Sequence, residues 1–331
     1  MLAGFAVVAA ACGTGGTDLA VDEPVPQLFD DDADLVTEST TTAAPTLGIE
    51  QLAVAELPQP RATTGVVVVD GIALAVDERT DAGWFARSPC GVVFSGDGSV
   101  EQALVVLDPA GDARVEIDGS SLSEINHTVA EILASELRAA GVDTLLTRDG
   151  DDDVAASVRS EAASASGALV VVSISIAEGG GDLVDEAPLE VVHPASDADS
   201  RRLAGLVFQS VEPILADMPG AWTAAGDPGV RAVLNQRGTD FFTLLRESDD
   251  HARVVVHLPA LTDATVDLFR SPVTAVSLAQ ALADSIARFL LTDEEGRGFV
   301  TPTEVVRDAP TTGAAACVDP IVVEPEVDDE G

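Results

Sequence analysis

The segment from Leu104 to Asp112 limits the possible folds more than any other part of the sequence. It reads Leu-Val-Val-Leu-Asp-Pro-Ala-Gly-Asp, an apolar run followed directly by turn-forming residues. A run this short and this apolar is typical of a strand buried in a parallel sheet. The loop after such a strand lies at the sheet edge where open α/β sheets hold their functional groups. We therefore expect an α/β fold, with Asp108 and Asp112 beside a candidate site.

Predicted strands and helices alternate from residue 101 to residue 291. Ser121 and Glu124 have the spacing of a capping box at the start of a helix, and apolar residues recur at helical spacing after them. The predicted helices begin at Ser121, after the acidic residues 149–153, near Ser200 and at Val273, and the predicted strands cover 103–108, 142–147, 168–174, 189–193, 241–245 and 254–257. This alternation predicts a mainly parallel sheet with helices on both faces.

The rest of the chain divides by composition into segments of different kinds. Asp70-Gly71 separates two apolar runs, which is a hairpin signal. The Thr-, Pro- and Asp-rich stretch before residue 61 has the composition of a flexible linker. We predict five parts: a signal and lipobox segment (1–12), a disordered acidic linker (13–60), a small β subdomain (61–100), the α/β domain (101–292) and a mobile acidic tail (293–331).

The charge of the chain excludes one class of partner. Lys and Arg number 17 against 57 Asp and Glu, which gives a formal net charge of -40. A surface this acidic repels the phosphates of nucleic acids. We therefore exclude a role in nucleic-acid binding.

The three cysteines suggest export from the cell. An apolar run from Leu2 to Ala11 ends at Cys12 and resembles the signal segment and lipid-accepting cysteine of bacterial lipoproteins. The alternative is a buried N-terminal strand with a free thiol; as a helix, the run is too short to span a bilayer. Export would leave Cys90 and Cys317 as a pair in an oxidising compartment, so we predict a disulfide between them. The predicted location is the outer face of the cytoplasmic membrane, with Cys12 as the lipid anchor.

A series of short motifs resembles the zinc-dependent N-acetylmuramoyl-L-alanine amidases of bacterial cell walls. The resemblance covers roughly residues 101–291, and its anchors in order are Val105-Val-Leu-Asp-Pro109, Asn126, Leu145-Leu-Thr-Arg148, Arg159, Val172-Ser-Ile174, Arg237-Gly238, Leu244-Leu-Arg246, Val254–Leu258 and Leu261-Thr-Asp263. It implies an α/β domain with a zinc ion at the carboxyl ends of the strands. In that family the zinc polarises the lactyl amide of peptidoglycan and activates water, and a glutamate acts as general base.

The sequence departs from the family at the positions that carry this chemistry. By the resemblance, Gly111 stands where the first zinc-binding histidine is expected, Leu122 at the glutamate ligand and Ser175 at the second histidine. His257 stands at the catalytic glutamate. A catalytic zinc needs about three nitrogen, oxygen or sulfur ligands from the protein, so the resemblance implies a degenerate member without zinc or amidase activity.

Two sharper interpretations of the same residues stay open. Glu124 and His127 are spaced to share one helix face, and with His257 they form a zinc-type ligand set. Ser175 is a possible nucleophile beside His257, but it lies between two isoleucines without the flanking glycines of a nucleophile elbow. For Ser175 we expect a structural serine bonded to the backbone.

The predicted groove is formed by Asp108, Asp112, Asn126, Ser175 and His257. Its expected ligand is a peptidoglycan stem peptide or a protein of the cell-wall machinery, bound without hydrolysis. The alternatives are an active N-acetylmuramoyl-L-alanine amidase with a non-standard metal site and an acidic spacer without a ligand. Arg148, Arg159 and Arg237 are expected to form structural ion pairs.

Overall fold

The computed structural model describes residues 49–111, 116–117, 119–150, 154–176, 189–216, 229–246, 251–259, 266–296 and 304–307. The predicted signal segment with Cys12, the linker up to residue 48, Asp112 and Cys317 lie outside the described residues. The lipid anchor and the pairing of Cys90 with Cys317 therefore stay predictions.

A 3-10 helix (Ile49–Val54) and a four-stranded antiparallel sheet precede the main sheet. The small sheet has the order β1 (Val66–Val69), β2 (Ile72–Thr80), β3 (Gly83–Arg87) and β4 (Val93–Gly96). Asp70 and Gly71 connect β1 to β2 with φ angles of 48° and 80°. Positive φ at both turn residues is what a tight hairpin requires and what Asp-Gly tolerates. The hairpin therefore lies where the sequence predicts it.

The main sheet has seven strands and two strand directions. Among the described residues, the strands of the main sheet are, in chain order, β5 (Val105–Pro109), β8 (Thr144–Leu146), β9 (Val170–Ile176), β10 (Glu190–Val192), β11 (Val230–Asn235), β12 (Ala252–Leu258) and β13 (Glu304–Arg307). Between β5 and β8 the chain forms a separate two-stranded ribbon of β6 (Glu116–Ile117) and β7 (Ser120–Ser121). The order across the main sheet is β13-β11-β10-β12-β9-β5-β8. Strands β8, β5, β9 and β12 are parallel, and β10 pairs antiparallel with β12. The start of β10 therefore lies beside the carboxyl end of β12.

Helices cover both faces of this sheet, as predicted. The helices are α1 (Leu122–Ala139), α2 (Ala156–Ala165), α3 (Ala198–Ala216), α4 (Thr243–Arg246), α5 (Val266–Phe269) and α6 (Pro272–Leu291). One face packs against α1, α3 and α6 in the largest apolar cluster, and α2 and α4 contribute to the clusters on the other face. Helix α6 is the one helix of the described residues with the length and composition to span a membrane, but 56% of its most apolar window is buried inside the protein. This burial is what a core helix shows.

Helix α1 begins where its capping residue predicts. Ser121 has extended backbone angles, and its Oγ accepts a hydrogen bond from the Glu124 backbone N–H at 3.0 Å. This bond satisfies one of the backbone N–H groups that a helix start leaves unpaired, and such a cap contributes about 1 kcal/mol. The cap fixes the first turn of α1 beside the end of β5, where the candidate site lies.

Two predictions about secondary structure were wrong, and one strand was missed. Residues 241–245 do not form a strand: Phe241 and Phe242 lie in bends, and α4 follows. Periodicity alone does not separate a short apolar strand from a helix. Strand β11 was not predicted, and the tail predicted as mobile contributes β13, which pairs in parallel with β11.

Candidate functional site

Three polar residues lie side by side at the carboxyl edge of the parallel strands. Ser175 near the end of β9 is the strand partner of His257 near the end of β12. His257 is in turn the partner of Glu190, the first residue of β10. Directly paired residues on neighbouring strands project from the same face of a sheet. The register therefore places Ser175, His257 and Glu190 in one row.

Glu190 lies beside the imidazole of His257 and is itself contacted by Arg231. His257 Nδ1 lies 3.5 Å from Glu190 Oε2, and Arg231 Nη1 lies 3.4 Å from Glu190 Oε1. The Glu190 side chain is only 6% exposed, whereas that of His257 is 22% exposed. A carboxylate accepts hydrogen bonds and does not donate them, so the proton of a neutral His257 belongs on Nδ1. Phe242 adds an edge-to-face ring contact, with 6.2 Å between the ring centroids.

Ser175 differs from the expected structural serine. It is partly exposed, and within the described part of the chain its hydroxyl has no hydrogen-bond partner. Ser173, two residues earlier on the same strand, instead donates to Asp108 Oδ2 at 2.7 Å. Ser175 therefore projects from the same sheet face as His257, and among the described residues its hydroxyl has no backbone acceptor.

Gly111 and Leu122, at two expected zinc-ligand positions, have packing roles. Gly111 has a φ of 124°, and a Cβ added there would lie 3.1 Å from Ser123 N and 3.2 Å from Asn126 Nδ2. Leu122 is 1% exposed and belongs to the largest apolar cluster. Backbone atoms and apolar side chains therefore occupy the part of the site where zinc ligands were expected.

Asn126 connects two strand ends and does not line an open groove. Its Nδ2 donates to Ala110 O at 2.6 Å, and its Oδ1 accepts from Ile176 N at 3.1 Å. The residue is fully buried. Asn126 therefore fixes the separation of β5 and β9 behind the row of polar residues.

Asp108 is a buried ionic centre rather than a groove residue. It is 3% exposed and accepts hydrogen bonds from Thr147 Oγ1 and Ser173 Oγ, each at 2.7 Å, and from Arg159 Nη1. Burial acts to raise the pKa of Asp108, but the charge of Arg159 and the three hydrogen bonds outweigh it, so its pKa lies below the usual 3.8. Asp108 is therefore ionised inside the protein.

Arg159 forms the structural ion pair that the sequence predicted, and Arg148 hydrogen-bonds backbone carbonyl groups. Arg159 pairs with Asp108, and Arg148 is 1% exposed. Arg148 donates to Pro109 O at 2.8 Å and to Ser123 O at 3.3 Å, which joins the end of β5 to the first turn of α1. Arg237 is exposed in the turn after β11.

The structure does not bring Glu124, His127 and His257 together as a metal site. His127 Nε2 lies 3.0 Å from Asp149 Oδ1 and 3.0 Å from the Gly150 backbone nitrogen, so His127 faces the turn after β8. Glu124 is exposed at the start of α1. Within the described ranges, no three His, Cys, Asp or Glu side chains form a group that could hold a metal ion.

The sequence pattern did not predict Glu190, Arg231 or Phe242 as parts of the site. Glu190 had a usable signal: it is a charged residue in the otherwise apolar run from Leu189 to Val192. A buried carboxylate in such a strand requires a partner. The partners of Glu190 are Arg231 on β11 and His257 on β12. The local sequence around Glu190 does not show that these two strands pair with β10.

The domain has likenesses among solved amidase structures. No protein-family model and no curated protein match the sequence. N-acetylmuramoyl-L-alanine amidase AmiC2 of Nostoc punctiforme is 24% identical, covering 57% of this chain and 97% of its own, with a TM-score of 0.45. The apo amidase Ami1 of Mycobacterium abscessus is 19% identical over 58% of this chain and 100% of its own, with a TM-score of 0.46. The catalytic domain of the amidase CwlV of Bacillus (Paenibacillus) polymyxa var. colistinus is 21% identical. This match covers 57% of this chain and 98% of the CwlV domain, with a TM-score of 0.47. Similarity this low carries no information on the activity, metal content or partners of this chain.

Proposed function

We propose that this chain is an exported, lipid-anchored protein of the bacterial cell envelope that binds peptidoglycan or a cell-wall protein without zinc-dependent hydrolysis. The ordered motif series from Val105 to Asp263 supports the amidase-like part of this proposal. The signal-like segment before Cys12 supports export and anchoring.

The proposed loss of zinc chemistry rests on one observation. The expected ligand positions hold Gly111 and Leu122, which have no donor atoms in their side chains, and Ser175. Zinc sites in proteins use Cys, His, Asp or Glu. A histidine at position 111 would also meet the backbone of Ser123 and the amide of Asn126. These residues do not fit a catalytic zinc ion.

The sheet edge that holds Ser175 and His257 supports binding as the role that remains. Asn126 and Arg148 still hold the strand ends and α1 together through buried hydrogen bonds. Ser175 and His257 remain partly exposed at the same edge. Partly exposed hydroxyl and imidazole groups on rigid strands offer hydrogen bonds to a bound peptide without performing chemistry on it.

The test combines metal content with wall binding. The full chain is purified without chelator, its zinc is measured by elemental mass spectrometry, and it is then co-sedimented with purified peptidoglycan. We expect far less than one zinc per chain and retention in the pellet. Retention should fall severalfold in His257→Ala and stay unchanged in His127→Ala, whose imidazole lies at the turn after β8.

Each contrary result has a defined meaning. One tightly held zinc per chain would overturn the loss of the metal site and favour an active amidase with unusual ligands. Absence from the pellet would exclude peptidoglycan as the ligand and leave a cell-wall protein as the expected partner.

A further inference from the structure

Ser175, His257 and Glu190 have the order of a nucleophile, a base and an orienting carboxylate. We propose that these three residues form a metal-independent site that hydrolyses small carboxylic esters. The inference goes beyond the proposed binding function, because it concerns bond formation at Ser175 rather than retention on the cell wall.

The strand register supplies the geometry. The three residues are consecutive partners across β9, β12 and β10, and neighbouring strands lie about 4.8 Å apart. No other side chain stands between them in the row. Their backbones belong to buried central strands, so their positions are fixed by the core. Such rigid elements hold a reactive group more accurately than loops do.

Glu190 fixes the orientation of the imidazole. Its Oε2 lies 3.5 Å from His257 Nδ1, and its other oxygen is held by Arg231 at 3.4 Å. With the proton on Nδ1, the lone pair of a neutral imidazole lies on Nε2. This is the tautomer in which a histidine accepts a proton from a nucleophile.

The reacting groups are available. Among the described residues, neither the Ser175 hydroxyl nor His257 Nε2 has a hydrogen-bond partner, so the two groups are not bonded to each other in the free protein and the proton transfer requires their approach when a substrate binds. Ile174 and Ile176, which flank the serine, are buried in the apolar cluster on the opposite face, so they leave the hydroxyl side open. Ser175 thus becomes accessible by its place near a strand end and not by the strained elbow of α/β hydrolases.

The loop after the neighbouring strand contains a candidate donor for the developing negative charge. Pro109 of β5 is the partner of Ile174, so the chain just after β5 runs beside Ser175. Within the described residues, the backbone N–H of Gly111 donates no hydrogen bond. A free backbone N–H near a nucleophile is the usual donor to a carbonyl oxygen that gains charge.

The reaction balances without a further reagent. Ser175 Oγ attacks the ester carbonyl carbon, and its proton passes to His257 Nε2. The bond between the carbonyl carbon and the alcohol oxygen then breaks, and the alcohol leaves with that proton. Water attacks the acyl-serine and gives its proton to His257 Nε2, from which Ser175 Oγ recovers it as the carboxylic acid leaves.

A fluorophosphonate probe tests the nucleophile directly. The full chain is incubated with an alkyl fluorophosphonate in the presence of EDTA, and its peptides are analysed by mass spectrometry. Attack by Ser175 forms an Oγ–P bond, breaks the P–F bond and releases fluoride. We expect the adduct on Ser175, slower labelling by roughly 100-fold in His257→Gln, and EDTA-insensitive hydrolysis of p-nitrophenyl acetate.

The controls separate reactivity from folding. Ser175→Ala should lose the adduct and the esterase rate, whereas Ser95→Ala on the exposed strand β4 should change neither. Glu190→Gln should slow labelling and shift the ring nitrogen resonances of His257, which report its tautomer. Circular dichroism checks that each variant is folded.

Two results would overturn the inference. One is the absence of an adduct on Ser175 in the folded wild-type chain; the other is labelling of folded His257→Gln at the wild-type rate. Peptidoglycan sedimentation is measured without the probe, so failure of this inference and failure of the proposed binding function are distinguishable.

Discussion

Asp108 shows how a single buried charge organises the residues behind the site. It receives hydrogen bonds from Thr147, Ser173 and Arg159, which come from three other segments of the chain. Two charges out of water are tolerable only when they are paired and their remaining hydrogen bonds are made. Asp108 therefore holds β5, β9 and α2 in fixed relation behind the row of Ser175, His257 and Glu190.

Replacing this carboxylate should be costly. We expect Asp108→Asn to lower the free energy of unfolding by about 3–5 kcal/mol, because Arg159 would keep its charge inside the protein without its partner. Asp77→Asn is the matched control, since Asp77 and Arg87 form an exposed ion pair with side chains 46% and 61% accessible. Its cost should be below about 1 kcal/mol. Urea unfolding measures both, and equal losses would contradict the structural role of Asp108.

The secondary-structure elements were predictable where the local signal was strong. Ser121 marks the start of α1, and the long apolar period from Val273 marks α6; both helices are confirmed. Strand β11 was missed because a charged residue, Arg231, interrupts its apolar run. The carboxylate that pairs with Arg231 is Glu190 on β10, which is distant in sequence. The sequence suggested Ser175 beside His257, but the place of Glu190 in the same row was not predictable, for the same reason. It depends on β12 pairing with β9 and β10, and neither strand adjoins it in the chain.

Strand β11 also depends on a close approach to α3. Gly229 at its start has a φ of 68°, and a Cβ there would lie 1.8 Å from the ring of Phe208. We expect Gly229→Ala to destabilise the protein by more than Gly238→Ala, whose φ is 75° but whose Cβ would meet nothing within 4 Å. The second variant has only the left-handed backbone cost of about 1–2 kcal/mol. Thermal unfolding of both variants measures the difference, and similar losses would show that Phe208 moves aside freely.

The whole molecule combines an acidic surface with buried ionisable groups. The net charge of -40 makes the folded chain repel itself at neutral pH, and protonation of surface carboxylates relieves that repulsion as the pH falls. Burial has raised the pKa of Asp240 and of Asp284 above their usual value, which also favours the folded state in acid. Any loss of stability just below neutral pH must therefore come from another group.

His193 is the group that we expect to cause such a loss. It is 1% exposed, its Nδ1 contacts Pro194 O at 2.8 Å, and burial lowers its pKa below the usual 6.5 despite nearby Asp240 and Asp197. Below pH 6.5 the imidazole of His193 is protonated in the unfolded chain but stays neutral in the folded chain, so the free energy of unfolding falls as the pH falls. The loss ends once the pH is below the folded-state pKa.

His193→Asn keeps a donor for Pro194 O and cannot titrate, so it should be less stable than wild type at neutral pH, with a smaller decline on acidification. Urea unfolding across this range measures both slopes, and parallel declines in the two proteins would assign the pH dependence to other groups.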